Sequence, residues 1–421
     1  VRTVDVMADR VSTKDIMIAM RMADSHYDVD LPVSGRLRGE IGRDGLPTYL
    51  TGKVQIDAGT IVDRKVPDFP MSVDRIDINV DWDASRRMLL APFQAQSGGD
   101  RFTLLAHLEP PSDAVPDWQF GLSGGTMLFP GDKEKAEAPL IFNRIAVRVR
   151  FDTAGRRILV TQGDISNGEL GIAGTATYDY SGAEPRLTLG MAGTPMSVSA
   201  LKRIWPVLIN PEVRDWIVTR VETGTLKRAE IAINAPVSTL ARGGPPIPDD
   251  GLSINFLASG ATVRPVDQMP PVRDAEMRVR ITGRTANVSV AQANIEMPSG
   301  RKLTMSDFSF DIADMAPKPI QSRVKFRLDG PVPAAAEVLA SERLSDFSGM
   351  PLDPATARGT VTAQLSLAMP LKNEITSKDT TYTVSADING FAADKLVMGQ
   401  KLESNLLKIV ANNNGYQVKG D

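Results

Sequence analysis

Cysteine is absent from the chain, and histidine occurs twice, at His26 and His107. No disulfide staple or thiolate metal site is therefore available, and a histidine zinc site would need several carboxylates to complete it. This suits a bacterial cell-envelope protein as well as a cytosolic one. Basic excess is also missing. The net charge is −3 with 24% charged residues, which argues against nucleic acid as a partner. No apolar run approaches the roughly 18 residues needed to span a bilayer, and no signal peptide is visible. The chain starts at Val1 rather than Met, so it reads as a piece of a longer protein, and the lack of an anchor in it says little about the full product.

What is present is alternation. Ile76, Ile78, Val80 and Trp82 alternate with Asp77, Asn79, Asp81 and Asp83. Phe102, Leu104, Ala106 and Leu108 follow the same rule, as do Ile145, Val147, Val149 and Phe151 against Arg148, Arg150 and Asp152. Leu187, Leu189 and Met191 continue it, and Ile16, Ile18, Met20 and Met22 read the same way near the start. Period two predicts strands with one apolar and one wet face. Tight-turn compositions at Asp83-Ala-Ser-Arg, Ser97-Gly-Gly-Asp, Asp152-Thr-Ala-Gly and Tyr180-Ser-Gly-Ala predict antiparallel neighbours. Later runs repeat the pattern, from Leu252/Ile254/Phe256 through Val324/Phe326/Leu328 to Val384/Ala386/Ile388. A linker or loop is expected at Gly243–Pro248, and a short helix at Pro333–Ala340. The count comes to about 20 strands, which at roughly 4.8 Å each would make a sheet on the order of 95 Å long. So long an apolar face must close into a barrel, split into sandwiches, or curl around something apolar.

One stretch breaks the pattern. In Met196–Gly224, Val198, Leu201, Trp205 and Leu208 recur at helical spacing, then Val213, Trp216, Ile217 and Val221 do so. Asn210 is placed to cap the second arm, Pro211 and Glu212 suit its first turn, and Gly224 to stop it. The expected organisation is a β stretch over 1–195, a helical hairpin over 196–224, and a second β stretch over 225–421.

Catalytic motifs fare poorly. Gly121-Leu-Ser-Gly-Gly125 matches G-x-S-x-G, but no helical pattern follows Ser123 and both histidines precede it. A glycine-rich turn is the better reading. Asp77, Asp81 and Asp83 alternate along a strand and lack calcium-loop spacing. No phosphate loop or dinucleotide fingerprint is present. The expectation is a protein that is not an enzyme and has no catalytic residue, metal or cofactor. Trp205 and Trp216 read as core residues of a docked hairpin more readily than as membrane or ligand anchors. Lys202, Arg203, Arg214, Lys227 and Arg228 read as solvated positions before anionic-lipid contacts.

The hairpin carries a resemblance. Leu201-Lys-Arg-Ile-Trp-Pro206, Asn210-Pro-Glu-Val-Arg-Asp-Trp-Ile217 and Val221-Glu-Thr-Gly-Thr-Leu226 resemble the central region of the AsmA-like envelope proteins of Gram-negative bacteria, YhdP-type branch. Arg148-Val-Arg-Phe-Asp through Gly174 and Arg358–Leu367 are similar in strand pattern. The resemblance implies a mainly β fold, a long antiparallel curled sheet forming an open apolar groove, with the hairpin inserted. It implies a periplasmic bridge-like lipid carrier, anchored to the inner membrane and conducting phospholipid toward the outer membrane. The implied partners are phospholipid acyl chains, the inner membrane and other envelope proteins. The candidate groove lining is Ile76, Ile78, Val80, Phe102, Leu104, Ile145, Val147, Val149, Leu187 and Leu189. A structural or assembly factor for the outer membrane, using sheet edges and a dry interior, is the alternative.

Overall fold

The computed structural model describes residues 2–19, 26–267, 269–340, 352–372, 377–397 and 400–421. The protein is mainly β, with a large antiparallel sheet that is not closed into a barrel. The chain divides into two units. Unit 1 comprises Val1–Thr194, Ser199–Asp215 and Ala232–Gly244; unit 2 comprises Pro195–Val198, Trp216–Ile231 and Pro245–Asp421.

The first elements are β1 (Arg2–Ser12), α1 (Thr13–Ala19), β2 (Tyr27–Asp30), β3 (Pro32–Ile41), β4 (Pro47–Ile56), β5 (Gly59–Asp63) and β6 (Met71–Val73). Then come β7 (Arg75–Asp83), β8 (Met88–Ser97), β9 (Asp100–Glu109), β10 (Trp118–Phe129), β11 (Leu140–Phe142), β12 (Arg144–Asp152), β13 (Arg157–Ser166), β14 (Gly171–Asp179) and β15 (Arg186–Gly193). The hairpin region holds β16 (Met196–Ser197), α2 (Val198–Ile204), α3 (Pro211–Arg220), β17 (Val221–Pro236) and the short turn α4 (Val237–Leu240). The chain continues with β18 (Leu252–Val263), β19 (Val272–Thr282), β20 (Thr285–Glu296), β21 (Lys302–Ile312), β22 (Ile320–Pro331) and α5 (Val332–Leu339). It finishes with β23 (Arg358–Leu371), a 3-10 turn at Ser377–Asp379, β24 (Thr381–Val397), β25 (Gln400–Asn412) and β26 (Gly415–Gly420).

In unit 1, antiparallel pairing runs β1, β3, β4, β7, β8, β9, β10, β12, β13, β14, β15, with β11 on the end of β10. The strands β2, β5 and β6 form a separate three-stranded sheet. In unit 2, β16 pairs with β17, and β18 to β26 pair in chain order. The short turns dictate this order, since antiparallel neighbours need only a tight reversal.

The ladders are not flat. Register shifts interrupt β1/β3, β9/β10, β12/β13, β13/β14, β18/β19, β21/β22, β23/β24 and β24/β25. Several coincide with left-handed residues, among them Arg10, Gly124, Gly125, Gly260 and Asp307. Each bulge bends its strand and adds local twist, which is how a long sheet acquires curvature.

Three expectations are corrected. Residues 16–19 form part of helix α1, not a strand; Met20, Arg21 and Met22 lie outside the described residues. Met17 and Ala19 are apolar as well, so period two was never distinguished there, and the Thr13 hydroxyl, bonded to Val29 O at 2.9 Å and accepting from Leu31 N–H at 3.0 Å, fixes the helix start. Gly224 does not end the second helix, which stops at Arg220. It lies within β17 at φ 143°, where a Cβ would sit 3.1 Å from Ala261 Cα. Finally, 26 strands appear among the described residues, more than the alternation counted, because strands of two to five residues are too short to show a period.

Candidate functional site: an apolar sheet face

Cross-strand register decides which side chains share a face, because directly paired residues point the same way. One row runs Val33, Ile56, Ile76, Ala95, Phe102, Met127 and Phe142. A second runs Gly35, Val54, Ile78, Phe93 and Leu104, and a third Leu37, Gly52 and Val80. A fourth joins Ala91, Ala106, Leu122, Val147, Gly163, Gly174 and Met191. Leu89, Leu108, Phe120, Val149, Val160, Ala176 and Leu189 make a fifth. Trp118, Phe151, Ile158, Tyr178 and Leu187 make a sixth, and Ile145, Ile165 and Ile172 a seventh. All ten candidate lining residues thus fall on one face of the unit 1 sheet. Within these rows no residue is charged.

That face is incompletely covered. Leu104 and Ile145 are buried, while Ile76, Ile78, Val80, Phe102, Val147, Val149, Leu187 and Leu189 are half-buried. Half-buried aliphatic side chains across adjacent strands are unusual in a packed core, where they would be fully enclosed. The opposite face is polar and ion-paired. Asp5 accepts from Arg36 at 2.8 Å, which holds its carboxyl below the usual range, and Arg75 donates to Asp77 at 2.6 Å.

Unit 2 repeats this arrangement. Phe256, Val279, Val288, Phe310, Val324, Leu367 and Tyr382 form one row, again without charge. Helix α5 covers one end of this face. Its Val332 joins the cluster of Val361, Ile388 and Leu407, and Ala334 packs on Met297 and Leu303. Ser322, paired with Met369 and in phase with Val324, is buried and donates to Met369 O at 2.9 Å. The alternation names these unit 2 residues just as it names those of unit 1, so they were within reach of the sequence.

The hairpin is tied at its ends rather than packed throughout. In unit 1, Arg214 donates to Trp205 O at 2.8 Å and to Lys202 O at 3.3 Å, covering the last carbonyls of α2. Arg203 donates to Ala138 O at 2.9 Å and pairs with Glu137. Both arginines therefore have structural partners in place of the solvated role expected of them. Burial raises the carboxyl of Asp100, against the pull of Arg101 and Arg214. Trp205 is half-buried and its indole donates to Ile209 O at 2.7 Å. Trp216 is 45% exposed and α3 buries none of its residues, so its reading as a core residue is overturned. Asn210 precedes α3 in the left-handed region at φ 47°, with its carbonyl accepting from Arg214 N–H; it is not an extended N-cap.

The sequence match to a nucleophile elbow dissolves into a bulge. Gly121–Gly125 lies inside β10, and Gly124 and Gly125 are the left-handed residues of its register shift against β9. A Cβ on Gly125 would sit 1.9 Å from Thr103 O, so glycine is required there by close approach. His107 lies over Gly121 and contacts Glu109 at 3.5 Å. Among the described residues, no group of three His, Asp or Glu is placed to hold a metal ion, and no helix is long and apolar enough to cross a membrane. In unit 2 a cavity of about 390 Å³ is lined by Arg264, Arg273, Glu296, Met269 and Met297 among others. Its arginines are engaged, Arg264 with Glu222 at 3.2 Å and Arg273 with Glu296 at 3.9 Å.

Compared with known families, the chain matches the model of the family described as YhdP protein over residues 132–404, well over half of its length. No curated protein and no solved structure matches.

Proposed function

The chain belongs to the YhdP family of AsmA-like envelope proteins, and from that membership we propose that it carries phospholipid along its apolar sheet face between the inner and outer membranes. The carrying observation is the set of uncharged rows in each unit, largely half-buried in unit 1 from β3 to β15. Each methylene removed from water contributes about 0.8 kcal/mol, so acyl chains gain strongly by lying on such a face. Rows of similar aliphatic residues offer no single deep trap, and lipid can shift from strand to strand. Bulges bend the strands, and a bent apolar face forms an open groove with head groups left in water. Carriage of this kind needs no bond making or breaking. The proposed setting is the periplasm, with the full protein tethered to the inner membrane and meeting other envelope proteins at its ends.

The test is a photo-crosslinker placed at Val147, on the apolar face, and at Arg148, on the outer face, in chain purified without stripping its lipid. The expected result is lipid attached at Val147 and little at Arg148. Equal labelling at both positions, together with no lipid in native mass spectra, would sink the proposal and favour an assembly factor with a dry interior.

A further inference from the structure

The apolar face of unit 1 has two unlike ends. At one end Phe129, Phe142 and Ile145 are buried; Phe142 is only 1% exposed and meets the Phe129 ring edge-on at 6.1 Å. The 130–139 loop lies at this end, tied to the hairpin through Arg203. At the other end the row from Trp118 through Phe151 to Tyr178 closes the face, with Trp118 37% and Tyr178 36% exposed. Beyond that row come charged turns. The Arg156 guanidinium sits 5.6 Å over the Tyr180 ring, itself 5.9 Å from Tyr178.

From one end to the other the order is buried apolar with Asp100 at its margin, half-buried aliphatic, aromatic, charged. A membrane leaflet presents the same order from its midplane to water, with Trp and Tyr at head-group level. The lengths are of the same order. From Ile145 to Phe151 the strand advances roughly 20 Å at about 3.4 Å per residue. The tails of one leaflet fill about 15 Å, half of a hydrocarbon core about 30 Å thick. A tail laid parallel to the strands would cover most of the distance from the aromatic row toward the buried end.

We propose that unit 1 binds phospholipid in one orientation, with tails along the strands, methyl ends toward Phe142, and the phosphate ester at the Trp118–Tyr178 row beside Arg156. This rests on the lipid-carrier reading and adds a direction to it. The guanidinium, stacked on Tyr180, supplies fixed donors for phosphate oxygens at the border of the apolar face.

The experiment uses the intact chain and two photoreactive phospholipids, one with a diazirine at the end of an acyl chain and one with a diazirine in the head group, each presented in phosphatidylcholine vesicles and mapped by peptide mass spectrometry. Tail-end label is expected in residues 140–145 and head-group label in residues 151–158 and 178–187. Arg156→Glu should lower the head-group label at 178–187 by at least about threefold, as loss of a charged hydrogen bond implies, and leave the tail-end label unchanged. Reversed or evenly spread labels overturn the orientation and leave lipid carriage standing. No label anywhere in unit 1 overturns both. An unchanged head-group label in Arg156→Glu removes that residue from the site.

Discussion

Three turn carboxylates at the charged end of unit 1 are built alike. Ser85 Oγ and N–H donate to Asp83, at 2.6 and 2.9 Å, and hold its carboxyl below the usual carboxylate range. Gly155 N–H donates to Asp152 at 2.6 Å, with Arg157 added at 2.7 Å, and Ser181 does for Asp179 what Ser85 does for Asp83. All three depressions point one way. A carboxyl with a folded pKa below its unfolded value stabilises the fold above about pH 4, and that stability is lost as pH falls through the depressed value. Replacing the three with Asn should lower the melting temperature at pH 7 and flatten its fall below pH 4. A melting curve that falls as steeply in the variant as in the parent would count against these turns. The sequence named all three as turn sites from composition. It gave no sign that Arg156, in the same turn, would stack on Tyr180, because that contact links two hairpins.

At the level of elements, the hairpin is held by its closing contacts. Arg214 reaches back across the connection to the carbonyls that α2 leaves free, a favourable place for a cation at a helix end. Arg214→Ala should raise hydrogen exchange in α2 by about tenfold, consistent with losing roughly 1.4 kcal/mol of local stability, and Lys should restore part of it. Equal exchange in parent and variant would leave the hairpin's cohesion to some other contact. The two apolar stripes were plain in the sequence. Exposure of Val213, Trp216 and Val218 on α3 was not, since a stripe shows which face could be buried and says nothing about whether a neighbour is there to bury it. Helix α5 is the opposite case. Its small alanines at 334 and 336 fit between strands, and Glu337 anchors it through Ser299 at 2.7 Å and through Arg301.

For the molecule as a whole, each unit presents its own uncharged rows, and each should hold lipid by itself. Val149→Asp in unit 1 and Val324→Asp in unit 2 put a charge on a half-buried aliphatic row, where solvation keeps the chain folded but an acyl chain would have to cover a carboxylate. Each is expected to remove lipid label from its own unit while circular dichroism stays that of the parent. Loss of label from both units on a single substitution would show instead that they load as one.

Period-two alternation by itself determined the mainly β character, the antiparallel order and the parity of every lining candidate. A strand's side chains must alternate, and short turns leave antiparallel pairing as the available choice. Only the tertiary structure decided which rows those residues form, because register depends on bulges such as the one at Gly124 and Gly125, and each bulge shifts pairing for reasons of backbone fit rather than hydrophobicity. It alone decided that one end of each face is covered and that the aromatic residues Trp118, Phe151 and Tyr178 meet in a single row. Those residues are up to 60 positions apart in the chain, and no local pattern records a meeting made by four strands pairing side by side.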